Sequence, residues 1–342
     1  MTATKTIRWA GALGVASLLL AACGGPSDEP ADGASGTGDG REIPLSLNQT
    51  EEHPNFLALS EFAENVAERT EGRVNIRVFP NAVLGEQQES VQLVGDGSVG
   101  MASISAPQMV NLNEDFMVLD MPLVFDSEEH QMATINDMEI VGELYSSLAD
   151  SQSLTVLGAY TQGARSVYNS RGPIETPEDL AGLKVRVQES PLHIAMIQAM
   201  GGTPTPMPFS EVYTALQGGV IDAAENNAPS YLTQRHYETA PYFSYTNHLI
   251  GADFLVVNSE LLASFSEEDR AVVEEEFAAS VETFMSIWQE QVAAAIEETT
   301  AAGAQYNEVD AEAFREVLQP VVDDALETET QRELFEAIRD RA

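Results

Sequence analysis

The chain has 342 residues, with 16 Lys and Arg against 55 Asp and Glu, a formal net charge of −39 at pH 7. That balance argues against nucleic acid and anionic lipid surfaces as partners, because both need clustered Lys and Arg. At 44% hydrophobic the chain can bury a sizeable core, and its single cysteine excludes an intramolecular disulfide and any multi-thiolate metal site. The acidity is compatible with a saline extracellular setting, where salt screens the self-repulsion.

Residues 1–22 carry Lys5 and Arg8, an apolar run from Trp9 through Leu20, and small residues before Cys23. This pattern predicts a secretory signal too short to span a bilayer stably. Its end, Leu20-Ala21-Ala22-Cys23, resembles a bacterial lipobox, which implies that Cys23 is lipidated and becomes the mature N-terminus. Residues 23–41 are rich in Gly, Ser, Asp, Pro and Ala, the composition of a flexible tether.

From Ile43 onward short apolar strands alternate with amphipathic helices. Strands are expected over Ile43–Asn48, Arg73–Phe79 and Val99–Ile104, and helices over Pro54–Thr70 and Glu86–Val94. This order implies a parallel or mixed sheet covered by helices. A second series starts near Gly163. It has a short strand Ser166–Asn169, a turn of helix capped by Thr176, a strand Leu183–Val187 and a helix opened by Ser190-Pro191. A helix Ser210–Gln217 and a strand Val220–Ala224 follow. Two such blocks suggest two α/β lobes. Ser266 opens a much longer helix, whose stripe Val273, Phe277, Val281, Phe284, Trp288, Val292 and Ile296 runs to Gly303. At 1.5 Å per residue it spans about 55 Å, enough to lie across both lobes. Pro320 is expected to interrupt the helical region that follows.

Catalytic and nucleotide signals fail on inspection. Gly95-Asp96-Gly97-Ser98-Val99-Gly100 fits G-x-G-x-x-G, but a helix precedes it and a strand follows, the reverse of a dinucleotide fingerprint. Ser98 lacks the first glycine of a nucleophile elbow, and the five histidines have no ligand spacing. No cofactor is expected.

With so few cations, each Arg set among apolar residues is informative. Arg186 lies near the C-terminal end of a strand, where ligands bind in open α/β sheets. Arg165 precedes the strand at Ser166, and Asn226 follows the strand at Val220. Two guanidiniums and an amide converging on a crevice would form a carboxylate clamp. The alternative is that Arg165 and Arg186 pair with acids inside the lobe.

Several motifs in order resemble one family: Leu84-Gly85, Asp120-Met121-Pro122, Gly163-Ala164-Arg165, Thr176-Pro177-Glu178-Asp179-Leu180 and Gly182-Leu183-Lys184-Val185-Arg186-Val187. The most specific stretch is Pro204 through Tyr213, followed by Ile221-Asp222-Ala223-Ala224-Glu225-Asn226. Over residues 43–340 the chain resembles the solute-binding subunit of tripartite ATP-independent periplasmic (TRAP) transporters, the DctP family. The resemblance implies a periplasmic-binding-protein-like fold: two α/β lobes, a hinge, and a long helix across both. The lobes would comprise residues 42–162 with about 250–290, and 163–249 with about 291–342. It implies closure over an organic acid, with Arg186 as the principal carboxylate ligand, Arg165 as the second guanidinium, Asn226 as the amide and Phe209 as the packing ring. Asn48, Gln49, Glu51, His53, Gln87, Ser105 and Glu225 would vary with the ligand. A common Asp before the third strand is Gly100 here. Asn226 through Tyr231, with Gln188 after the Arg strand, looks more like members that bind sugar acids such as uronates. The expected partners are therefore an organic acid, TRAP permease subunits and, through Cys23, a membrane. A C4-dicarboxylate or 2-oxo acid receptor of the same type is the alternative ligand reading. An extracytoplasmic lyase or hydrolase is the alternative of another class.

Overall fold

The computed structural model describes residues 42–341; the expected signal, Cys23 and the tether lie outside them. Among the described residues nine strands form one mixed sheet: β1 (Glu42–Ser46), β2 (Asn75–Phe79), β3 (Met101–Ser105), β4 (Leu154–Asn169), β5 (Lys184–Val187), β6 (Thr203–Pro206), β7 (Ala223–Asn226), β8 (Tyr242–Asn258) and β9 (Gln305–Glu308). Their order is β2-β1-β3-β8-β4-β7-β5-β6, with β9 beside β8. At one end β1 pairs in parallel with β2 and β3; at the other β5 pairs in parallel with β6 and β7. Helices cover each parallel half, giving the two lobes.

The connection between the halves is made of strand, and here the sequence reading needs correction. The strand expected at Ser166–Asn169 is the end of a 16-residue strand that begins at Leu154. Its antiparallel partner β8 has 17 residues, and the two stay paired from Leu154↔Asn258 to Asn169↔Tyr242. Bulges at Thr161/Gly163 and Arg165/Val167 absorb the twist, so a glycine that looked like a boundary sits inside the strand. Two other boundaries move. The strand expected from Val220 begins at Ala223, because Gly219 takes a left-handed φ of +67° and Val220 remains in the exposed turn. Pro320 does not break its helix, which runs Ala311–Ala325. Pro320 and Glu316 are both exposed, so water can serve the carbonyl the proline leaves unbonded, while buried Phe314, Leu318 and Val322 hold the helix down.

The long helix Glu267–Ala301 starts at Ser266, whose hydroxyl accepts the Asp269 N–H at 3.0 Å. It packs on helix Pro54–Arg69 of the first lobe and helix Ala228–Thr233 of the second, as its length requires. Phe277, Phe284 and Trp288 are buried, and Phe284 stacks on Tyr160 of β4 at 4.3 Å between centroids. Trp288 Nε1 donates to Glu128 at 2.9 Å. The C-terminal helix Glu329–Arg339, expected with the second lobe, packs on first-lobe elements instead. Ile338 enters the core with Phe116 and Tyr145, and Arg339 bonds Asp126 at 2.6 Å.

The lobes touch each other across the cleft. Asn111 Nδ2 donates to the Glu189 carbonyl at 3.2 Å, and Ser210 Oγ donates to Glu86. Deeper in, His193 of helix Pro191–Ala199 holds Asp120 of the first lobe at 2.9 Å, both fully buried. Burial alone would lower the His193 pKa. The carboxylates of Asp120 and Glu225 outweigh it and raise it from 6.5 to about 9, so the imidazolium bridges the lobes at neutral pH.

Two stability predictions follow from these contacts. Gly163 has φ +62°, and a Cβ there would lie 2.5 Å from Trp288 Cζ2. Gly163→Ala should therefore lower stability by roughly 2–4 kcal/mol, a drop of several degrees in Tm, through left-handed strain and overpacking. The His193 bridge contributes stability fully below the unfolded-state pKa near 6.5 and loses it as pH rises through about 9. Melting curves of the wild type and His193→Gln should differ most near pH 6 and converge toward pH 9.5; a constant gap would show that His193 carries no bridging charge.

Candidate functional site

The site lies where the two parallel half-sheets meet the crossing strands. Arg186 is the third residue of β5, one position from its C-terminal end, and Asn226 ends β7. Ser105 ends β3, and Asn48 lies in the turn after β1. Strand ends from both lobes thus aim at one crevice. Phe209 comes from the turn Phe209–Glu211 that follows β6. Asn48, Ser105, Arg165, Arg186, Phe209 and Asn226 line one small cavity together with Gln49, Gln162 and Gln188. An adjoining cavity shares Asn48, Arg186, Gln188 and Phe209 and adds Glu86, Gln87, Gln88, Gln108, Glu189 and Pro208.

The two guanidiniums are not equivalent. Arg186, 4% exposed, gives Nε–H and one Nη2–H to the Met207 carbonyl at 3.0 and 2.8 Å. Its other three N–H groups have no acceptor among the described residues. Phe209 flanks it with the ring centroid 5.7 Å from Cζ. Burial lowers the Arg186 pKa to about 10, partly offset by Glu225, so the group stays charged at neutral pH. Arg165, 2% exposed, is fully committed. Its Nε and Nη2 bond the Glu225 carboxylate at 2.6 and 2.8 Å, and Nη2 also bonds the Glu225 carbonyl at 2.9 Å. Nη1 bonds Gln162 Oε1 at 2.6 Å and Asn226 Oδ1 at 3.0 Å. Five donors meet five acceptors. Internal pairing, the alternative to the clamp, therefore describes Arg165 but not Arg186.

Glu225 is wholly buried and stands behind the cavity wall, not in it. Burial would raise its pKa, but Arg165, with His193 and His248 nearby, holds it well below the usual carboxylate range. A second buried acid, Asp253 of β8, takes only neutral donors: Gln162 Nε2 at 2.6 Å, Asn55 Nδ2 at 2.8 Å and Ser105 Oγ at 3.0 Å. Because Asp253 claims the Gln162 amide nitrogen, the Gln162 oxygen must face Arg165.

Of the weaker positions, Gln49 and Gln87 line the cavities, whereas Glu51 is exposed and His53 caps helix Pro54–Arg69. Gln87 spends its oxygen on the Ser105 N–H at 3.1 Å, leaving its NH2 toward the cavity side. The Gln49 side-chain oxygen is buried with no partner among the described residues. Sequence reasoning missed Gln108, Gln162, Asp120, His193 and Asp253. Neutral amides and cross-lobe pairs carry no local spacing signal, although Gln162 stands three residues before Arg165 in the same strand. Among the described residues no cluster of His, Cys, Asp and Glu could hold a metal ion.

The arrangement offers one free cationic fork and an amide-lined wall. The family model for bacterial extracellular solute-binding proteins, family 7 (DctP), matches residues 45–329. A solute-binding protein of Chromohalobacter salexigens is 41% identical over 272 residues, 79% of this chain and 80% of that protein. The crystal structure of a TRAP periplasmic solute-binding protein from Chromohalobacter salexigens with bound D-glucuronate superposes with a TM-score of 0.84 at 38% identity. It covers 88% of this chain and all of its own. The structure of such a protein from Sulfitobacter with bound β-D-galacturonate gives a TM-score of 0.83 at 34% identity, covering 88% and 100%. The relatives bind and transport solutes, which removes the lyase or hydrolase reading. The chain belongs to the DctP family of extracellular solute-binding proteins and shares the two-lobed fold of the TRAP receptors.

Proposed function

We propose that this chain is the membrane-tethered receptor of a TRAP-type transporter, binding a sugar acid with one carboxylate, a uronate in first place, and delivering it to the permease. The observation that carries this reading is the pairing of Arg186, with three N–H groups uncommitted, with a wall of Asn48, Gln49, Gln87, Gln108 and Gln188. A guanidinium fork suits a planar carboxylate. Amides that can both donate and accept suit a row of hydroxyls, and the unpartnered Gln49 oxygen is ready to take one hydroxyl proton. Phe209 packs on the apolar face of the sugar ring, and Asn226 keeps its NH2 for the ligand while its oxygen anchors Arg165. The bound glucuronate and galacturonate of the related structures support this class of ligand.

Calorimetry with D-glucuronate, D-galacturonate and succinate tests the class, and the uronates should bind best. Arg186→Ala should weaken uronate binding by roughly two to four decades, since removing one partner of a buried charge pair costs on the order of 3–5 kcal/mol. Arg186→Lys should also bind poorly, because an ammonium keeps the charge but loses the fork. Near-normal affinity in folded Arg186→Ala would refute the carboxylate contact.

The tether belongs to the same proposal. Cys23 would carry a diacylglyceryl anchor, and more than one acyl chain gives stable attachment. Cys23→Ala should shift the folded protein from the membrane fraction to the soluble one; a mutant that stays on membranes would point to another anchor.

A further inference from the structure

Ser105 and Asp253 are direct cross-strand partners at the last pair of the β3–β8 ladder. Asp253 is 3% exposed, and its hydrogen-bond partners among the described residues are the neutral donors Gln162, Asn55 and Ser105. A buried carboxylate with no cation bonded to it is costly, and such a cost is kept where function needs the group. We propose that Asp253 fixes Ser105 as a pure hydrogen-bond acceptor toward the ligand, so that the site requires a hydroxyl there and rejects a keto, ether or fluoro group. This inference rests on the sugar-acid reading and adds to it the polarity of one contact.

Both polar protons of Ser105 are spent inside the protein. Its N–H goes to Gln87 Oε1 at 3.1 Å, and its hydroxyl donates to Asp253 Oδ1 at 3.0 Å. Of the two hydroxyl lone pairs, one takes a proton of Gln162 Nε2 at 3.1 Å. The same nitrogen gives its other proton to Asp253 at 2.6 Å, so Gln162 has none left for a ligand. The bulge between Thr161 and Gly163 gives β4 one residue more than β8 opposite, and that residue is Gln162. Ser105 lines the cavity and is left with one lone pair to offer it. Amides such as Gln49 and Gln188 can turn to present oxygen or NH2, but Ser105 has no such choice while Asp253 holds its proton. A ligand group that only accepts would set lone pair against lone pair where water cannot relieve them. Asp253 itself is not part of the cavity lining, which makes it a positioning residue for Ser105.

The test is calorimetry with D-glucuronate and with its deoxy and deoxyfluoro analogues at C2, C3 and C4. Fluorine is close to a hydroxyl in size and accepts weakly, but it never donates. In the wild type, one position should show a fluoro analogue about tenfold or more weaker than glucuronate and no tighter than the deoxy analogue. Asp253→Ala deletes the acceptor, and Ser105 can then turn its proton toward the cavity. The glucuronate-to-fluoro affinity ratio should fall about fivefold or more at that position and hold at the other two. Ser105→Ala should lower the ratio at the same position, which assigns the contact to Ser105. A merely structural Asp253 would weaken all the analogues together and leave every ratio unmoved, which overturns the proposal. Wild-type protein in which fluorine outbinds hydrogen at all three positions overturns it too, whether or not the variants fold. Wild-type protein that binds no uronate but takes succinate would instead overturn the sugar-acid reading on which the proposal rests.

Discussion

The Arg165–Glu225 pair is the constraint around which the site is arranged. Both side chains are out of water, a position that costs several kcal/mol per charge unless every lone pair and proton is matched. Here the matching fixes the neighbours. The guanidinium needs Gln162 and Asn226 oxygens as well as Glu225, so both amides are held with their NH2 groups turned away from it. Asp253 supplies the reason Gln162 cannot flip, and Ser105 and Asn55 complete that carboxylate's shell. One ion pair thus organises side chains from β3, β4, β7 and β8. It joins β4 to β7 at a crossing of the lobes, beside the bulges that bend β4.

The same commitment explains why the site has a direction. Arg186 comes from β5 of the second lobe, and the amides Gln49, Gln87 and Gln108 come from the first. Gln188 stands beside Arg186 on the second lobe, but most of the lining amides face it from the first, so a ligand touching both sides would be held best with the lobes together. His193–Asp120 adds a buried cross-lobe charge contact behind the cavity, independent of the ligand. Closure in such a design is a balance between these contacts and the hydration of the polar walls when they part.

How much of this was legible in the sequence depends on the range of the interaction involved. Arg186 was readable because its signal is local: a lone cation at the end of a short apolar strand in a chain poor in cations. The helix Glu267–Ala301 was readable from its cap and stripe. Arg165 was readable as a site residue but not as a paired one. Its partner lies 60 positions away, and 55 acids offer too many candidates for composition to choose among. The length of β4 was hidden for a related reason. Gly163 looks like a boundary until β8 is known to run alongside and absorb it at a bulge. The packing of Glu329–Arg339 on the first lobe likewise depends on Ile338 and Arg339 finding partners 200 residues earlier, which no periodicity encodes. The family resemblance supplied the convergence of Arg186, Arg165, Asn226 and Phe209 that local pattern alone left open.

A receptor for an anion that itself carries a charge of −39 sets a long-range field against a short-range one. Outside the cleft, the exposed carboxylates repel an approaching acid over a distance set by the Debye length, about 8–10 Å near physiological salt and shorter in brine. Inside, Arg186 acts at contact distance where ions penetrate least, so salt weakens the repulsion more than it weakens the attraction. The acidic surface and the buried fork are compatible on these terms. The first governs solubility and approach, and its opposition fades as ionic strength rises. The second, through the carboxylate contact proposed for Arg186, would govern retention.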